Sequence, residues 1–274
     1  MLPDIERVSA LIREVAAEEM MPHFATLDPE DIGEKAPGDF VTSVDLASER
    51  RFTQSLPDLM PGSVVLGEEA VAADRARLGL LAGNDPVWVV DPLDGTANFA
   101  AGLPIFAVIV ALVRHGETVA GWIYDPSTGR MAVASRGDGA WMAGRRLRVR
   151  RPSQLRQMNG SIYGRKYRTS AAYREIWGPG RGRLGHVFNA RCVGQEYLAR
   201  LQGRMHFGLY TRLNPWDHAA GCLMHEEAGG YLARLNGERY APAEPMPGVL
   251  MTPDRELWDE FRSSLLIPVE GERD

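Results

Sequence analysis

The chain's 274 residues, 45% apolar and 24% charged, are enough to bury a sizeable core as one large domain or two closely packed halves. A formal net charge of −5 excludes a dominant nucleic-acid-binding face, which needs a basic patch. The two cysteines, Cys192 and Cys222, stand in no zinc or CxxC spacing, so no disulfide framework is implied and a reducing compartment fits.

Ile5, Val8, Leu11, Ile12 and Val15 recur at helical spacing, with a stop at Pro22. This stretch carries charges throughout and lacks the apolar core of a secretory leader. The longest apolar run, Ile105 to Val113, is too short to span a bilayer as a helix. A soluble, cytoplasmic protein is therefore expected, with no membrane partner. A second helix begins near Val44 and Asp45, with Leu46, Phe52 and Leu56 on its apolar face. Ser63 to Leu66 reads as a strand ending at Gly67-Glu68-Glu69, and an acidic loop with one helical turn leads to a strand at Val87.

From Ile105 the pattern becomes a meander: Ile105–Val113, Thr118–Tyr124, Arg130–Ala134 and Ala140–Met142, divided by turn signals and followed by a basic, strand-like exit from Arg145 to Arg151. The second half is mixed. Strands near Ser161 and Val187, a helix from Gly194 to Leu201 and a strand at Met205–Leu209 precede a helix that starts at Trp216-Asp217 and stops at Gly229-Gly230. Tyr231–Leu235 and Gly248–Met251 read as strands, Asp254–Leu265 as a final helix, and the Gly- and Arg-rich stretch 178–185 as a mobile loop. Strands mixed with helices favour α+β layers over a regular βαβ alternation.

The most informative segment is VWVVDPLDGTANF, Val87 to Phe99. A buried strand empties into Asp91 and Asp94, held between Pro92 and Gly95. Two carboxylates about 4 Å apart repel by ~4 kcal/mol at an effective dielectric near 20, so a cation must balance them. Carboxylates with the Leu93 carbonyl form an all-oxygen set suited to Mg²⁺. A lone DxxD is more often a helix or turn cap, but D-P-x-D-G-T has a chance expectation of ~10⁻⁴ in a chain of this length. Glu68 and Glu69 at a strand end and Asp217 at a helix start are further acids the same rim could recruit. His218 and His225 read as core or surface histidines, since the ligand set is already rich in oxygen.

Gly67-Glu68-Glu69, D-P-L-D-G-T-A-N-F from Asp91 and W-D-H-A-A-G-C-L-M-H-E-E-A-G-G from Trp216, in that order, resemble the inositol monophosphatase superfamily of magnesium-dependent, lithium-sensitive phosphatases. Asp39 to Asp45 resembles that family's Asp-x-Val-Thr-x-x-Asp segment. The resemblance implies a layered α/β/α/β/α sandwich in two halves: residues 1–150 with the D-P-L-D-G-T motif, and residues 151–274 with the W-D motif and the substrate wall. It also implies a homodimer and a small phosphorylated metabolite as substrate.

Two or three Mg²⁺ ions are implied, held by Glu68, Asp91, the Leu93 carbonyl, Asp94 and Asp217. Thr96, backed by Asp45, would orient the attacking water, with Glu68 completing the catalytic set. Gly95 and Thr96 would cradle the phosphate. Asp94, Gly194, Gln195, Glu196, Tyr210 and Asp217 would line the substrate side. Inositol phosphatases place a hydroxyl-gripping glutamate seven residues before the metal aspartate, where this chain has Tyr210; Glu196 is the expected replacement. Fructose 1,6-bisphosphate, a 3′(2′),5′-bisphosphate nucleotide and histidinol phosphate are therefore alternative substrates. Arg165, Lys166 and Arg168 read either as a second phosphate site or as a solvated loop face. A catalytically silent metal-binding regulatory protein is the competing class, and the intact Asp45, Thr96 and metal acids speak against it.

Overall fold

The computed structural model describes residues 2–36, 38–164, 184–244 and 248–263. Asp4 starts the first helix, α1 (Ile5–Val15): its carboxylate accepts from the Glu6 and Arg7 N–H groups, which the first turn leaves unpaired. A hairpin of β1 (Ile32–Ala36) and β2 (Asp39–Thr42) leads into α2 (Ser43–Leu59). A reciprocal box closes the start of α2: Thr42 Oγ1 accepts the Asp45 N–H, and the Asp45 carboxylate accepts the Thr42 N–H.

Next come β3 (Val64–Gly67), α3 (Glu68–Ala73), β4 (Val87–Asp94) and α4 (Thr96–Ala100). The meander is β5 (Ala107–Arg114), β6 (Glu117–Asp125), β7 (Arg130–Ser135), β8 (Gly139–Met142) and β9 (Arg145–Arg146). The rest comprises β10 (Gly160–Ile162), α5 (Val193–Leu201), β11 (Phe207–Tyr210), α6 (Pro215–Glu227), β12 (Tyr231–Arg234), β13 (Val249–Thr252) and α7 (Arg255–Phe261).

Strands β3 to β9 form one seven-stranded sheet in sequence order, antiparallel except for the parallel pair β3/β4. A second sheet has the order β10-β11-β13-β12. Period-two alternation gives the large sheet two apolar faces. Trp88 and Val90 meet Val8, Ile12 and Val15 of α1 and Phe52 of α2; Val87 and Val89 meet the Tyr197, Ala220 and Leu223 side. Burying each such aliphatic side chain contributes about 1.5–3 kcal/mol. A Cβ on Gly121 would stand 2.9 Å from the Ala220 Cα, so glycine in β6 lets α6 lie against the sheet. The small sheet closes the other side of α5 and α6 and is capped by Leu257, Trp258 and Phe261 of α7. The layers run α/β/α/β/α, as the resemblance implies.

The meander's first strand begins at Ala107 rather than Ile105, because the Ile105 carbonyl accepts the Asn98 side-chain amide in the preceding turn. Only Arg145–Arg146 of the basic exit pairs as strand, and Val187 contributes a single bridge to Gly160. Residues 178–183 of the expected mobile loop, and Arg165, Lys166 and Arg168, lie outside the described residues. No described helix is long and apolar enough to cross a membrane.

Candidate active site

Parallel pairing sets Gly67 beside Val90, so Glu68 leaves the end of β3 next to Asp91 on β4. Between Asp91 and Asp94 the β4/β5 register shifts, with Asp91 opposite Ile109 and Asp94 opposite Ala107. Pro92 has no N–H to give the ladder, which favours a break there and re-aims the aspartates. Gly95 then turns the chain at φ 93°, where a Cβ would stand 2.8 Å from the Ile105 carbonyl oxygen. Asp217 comes from the other half of the chain, in the first turn of α6 behind Pro215, and accepts the Asn214 amide at 3.1 Å.

Glu68, Asp91 and Asp217 each bring a carboxylate oxygen to a cluster within which all three lie inside 4.8 Å of one another. Burial first, and then the charges of Glu68 and Asp94, hold the Asp91 carboxyl well above the usual aspartate range. Asp217 is raised in the same way, by burial and then by Glu68 and Asp94. Asp94 lines the same cavity, but its Oδ2 accepts the Gly194 N–H at 2.5 Å and the Cys192 thiol at 3.1 Å. Burial still lifts it to about 6.

A cation also stands at this rim. Lys35, on the β1/β2 hairpin, places Nζ 2.7 Å from Glu68 Oε1 and 3.0 Å from Glu69 Oε1. Burial alone would pull its ammonium down, yet the two glutamates hold it above the ordinary lysine range. Nothing periodic marks Lys35 in the sequence. Glu49 was legible but missed: it lies one helical turn after Asp45, and its carboxylate accepts the Glu69 and Ala70 N–H groups, fixing the start of α3.

Thr96 Oγ1 lies 3.0 Å from both Asp45 Oδ1 and the Leu93 carbonyl oxygen. Asp45 is buried, and burial raises its carboxyl to about 6 against the hydrogen bonds from Thr42. Asp45, Thr96 and the acids thus adjoin one cavity of about 590 Å³, whose walls also carry Tyr163, Arg191, Cys192, Tyr210 and Arg212.

The far wall differs from its expected form. Glu196 is 1% exposed and absent from the cavity lining. Its Oε2 accepts the Ser161 and Tyr210 hydroxyls, both at 2.6 Å; its Oε1 accepts the Tyr163 hydroxyl at 2.7 Å and the Ala190 N–H at 3.0 Å. It therefore does not stand in at the wall for the missing hydroxyl-gripping acid. Gln195 is turned to the Phe106 carbonyl, and Gly194 meets the site through its N–H to Asp94. His218 and His225 are buried, pushed down to about 3 and about 4 by that burial, and bonded to the Arg212 and Thr252 carbonyls.

Comparison with known proteins agrees with this geometry. The model of the inositol monophosphatase family matches residues 4–263. An inositol-1-monophosphatase of Mesorhizobium japonicum is 36% identical over 211 residues, covering 74% of this chain and 75% of that protein. The Nus factor SuhB of Escherichia coli is 33% identical over 235 residues, covering 78% and 79%. A solved IMPase of Thermotoga maritima superposes with a TM-score of 0.79 at 25% identity over 96% of each chain. With its acids converging as they do, this chain belongs to the inositol monophosphatase family.

Proposed function

We propose that this phosphoric monoester hydrolase is Mg²⁺-dependent and cleaves a small phosphorylated metabolite by direct attack of water, without a covalent phospho-enzyme. The observation that carries the reading is the convergence of Glu68, Asp91 and Asp217. Like charges at this spacing, with Asp91 buried and Glu68 and Asp217 half-buried, call for a cation, and their oxygen-only donor set suits Mg²⁺ rather than a thiophilic metal.

Glu68, Asp91, the Leu93 carbonyl, Asp94 and Asp217 would hold two or three such ions. When bound, Mg²⁺ neutralises charge on the phosphoryl oxygens and lowers the pKa of a water. Thr96, whose hydroxyl has Asp45 Oδ1 and the Leu93 carbonyl as acceptors at 3.0 Å and which lines the cavity, would orient that water by donating to Asp45 and accepting from the water. Asp45, raised to about 6, is the proton acceptor behind it. Backbone around Gly95 and Thr96 would cradle the phosphate, with Asp94, Asp217 and Tyr210 lining the substrate side.

The family supports an inositol-phosphate-like ester, inhibition by millimolar Li⁺, a cytoplasmic setting and a homodimer. A fructose 1,6-bisphosphatase, 3′(2′),5′-bisphosphate nucleotidase or histidinol-phosphatase activity stays open, because Tyr210 replaces the acid that would grip inositol. A regulatory protein without turnover is the second reading, favoured by the relative named Nus factor SuhB. The deciding experiment is a phosphate-release screen with Mg²⁺ over inositol phosphates, sugar bisphosphates, nucleotides and histidinol phosphate. Hydrolysis of at least one ester, lost on chelation, is expected. Mg²⁺ binding with no turnover of any ester would establish the regulatory reading instead.

A further inference from the structure

Three tyrosines form a stack that runs from the core to the cavity. Tyr197, fully buried, lies 6.3 Å from Tyr210 with their planes 22° apart; Tyr210 lies 5.3 Å from Tyr163 at 27°. Tyr163 is the outermost ring, half-buried, and lines the same cavity as Asp91, Asp94 and Asp217. The stack is held rigidly. The Tyr163 and Tyr210 hydroxyls converge on the one carboxylate of Glu196, which fixes the two rings side by side.

Behind them Arg200, 1% exposed, places its guanidinium 4.4 Å from the Tyr197 ring centre and 5.4 Å from that of Tyr210, and its Nη1 donates to the Tyr210 hydroxyl at 2.8 Å. Two glycines make room: a Cβ on Gly221 would stand 2.2 Å from the Tyr197 ring, and one on Gly208 2.6 Å from the Tyr210 ring.

This arrangement decides what the wall offers a ligand. The Tyr210 and Ser161 hydroxyls are directed at Glu196, and the Tyr163 hydroxyl is held between Glu196 Oε1 and Asn189 Oδ1. They are not turned to meet the hydroxyls of a polyol. Tyr163 stacks on Tyr210 and itself lines the cavity. A preorganised aromatic surface of this kind favours a flat π-system, because ordering the protein side adds no further entropy cost.

We propose that the alcohol half of the substrate carries a planar aromatic or heteroaromatic ring that extends the Tyr197–Tyr210–Tyr163 stack on Tyr163, while its phosphate lies at the Glu68–Asp91–Asp217 cluster. The proposal rests on the phosphomonoesterase reading and narrows its substrate class. Tyr163 is the specificity-determining residue, and Glu196 and Arg200 are positioning residues behind it.

A matched pair tests it on the intact protein with Mg²⁺: 2-phenylethyl phosphate against 2-cyclohexylethyl phosphate, whose leaving alcohols differ little in acidity. The aromatic ester is expected to show roughly 10-fold or greater advantage in kcat/KM, carried by KM, the scale of a single ring-stacking contact. Tyr163→Leu should collapse that ratio toward one, and Tyr163→Phe should keep it. Adenosine 2′-monophosphate and an imidazole-bearing amino-alcohol phosphate then separate a nucleotide source from an imidazole source.

A ratio at or below one in the wild-type protein overturns the proposal, since the saturated ring is the more hydrophobic of the two. An unchanged ratio in folded Tyr163→Leu also overturns it. If that variant does not fold, the wild-type ratio decides alone. Turnover of esters with no aromatic preference removes only this inference, whereas failure to hydrolyse any ester removes the phosphomonoesterase reading and this inference with it.

Discussion

Asp91 and Glu196 are equally hidden, 2% and 1% exposed, yet their surroundings are opposite. Glu196 receives four donors: three hydroxyls and a backbone N–H. Asp91 receives the Leu93 N–H and is pressed upon by Glu68, Asp94 and Asp217. A carboxylate whose acceptor sites are filled by the protein is part of the scaffold. One left among other carboxylates is poised for something the chain itself does not supply. The acid cluster on one side of the cavity and the carboxylate behind its far wall thus separate functional from structural charge, and each can be perturbed without the other.

The largest separation is expected from Asp91→Asn. Hydrolysis should fall by ~10³-fold or more, since the metal term in phosphoryl transfer amounts to several kcal/mol. The metal-free variant should nevertheless melt higher than wild type, because a buried like charge has been removed. Parallel activity and melting measurements check both, and a lower melting temperature in chelator would contradict the assignment of Asp91 to the uncompensated wall. Thr96→Val sharpens the same wall: kcat should drop about 10²-fold while Mg²⁺ affinity, read by calorimetry, stays near wild type.

On the other wall, Glu196→Ala leaves three hydroxyls and an N–H facing a void. Destabilisation of about 3–5 kcal/mol by denaturant unfolding is expected, with Mg²⁺ affinity retained in the folded fraction. The smallest effect is the pH response of the metal-free protein. Asp45 and Asp94 are each raised to about 6 from an ordinary value near 4. Folded carboxyls that hold protons more tightly than unfolded ones add stability below pH ~4, and that stability is lost as pH rises through 6. The melting temperature in chelator should therefore fall across this window, and saturating Mg²⁺ should flatten or reverse the slope.

How legible each wall was in the sequence follows from the same contrast. Asp91 and Asp94 sit in one unbroken motif on a strand and could be located locally, whereas Glu68 and Asp217, at ends of elements, were weak local signals that only the family resemblance joined to them. Period-two alternation in the meander and the helical spacing of Ile5 to Val15 gave the α+β class, while the five-layer order came from the resemblance carried by the three motifs. Glu196 was misplaced because the direction of a side chain in a helix's first turn depends on its tertiary neighbours, here Ser161, Tyr163 and Tyr210, each 14 or more residues away. Lys35 escaped for a related reason: it is near Glu68 only through the hairpin's fold. Tyr163 carries no spacing signal, and its meaning lies in the stack.

The most direct test of cation capture is anomalous scattering from crystals equilibrated with Mn²⁺ in place of Mg²⁺. A peak among the Glu68, Asp91 and Asp217 carboxylates, displacing the Lys35 ammonium from Glu68, is the result this account predicts. No peak there, in crystals of protein that still hydrolyses a phosphate ester, would contradict it.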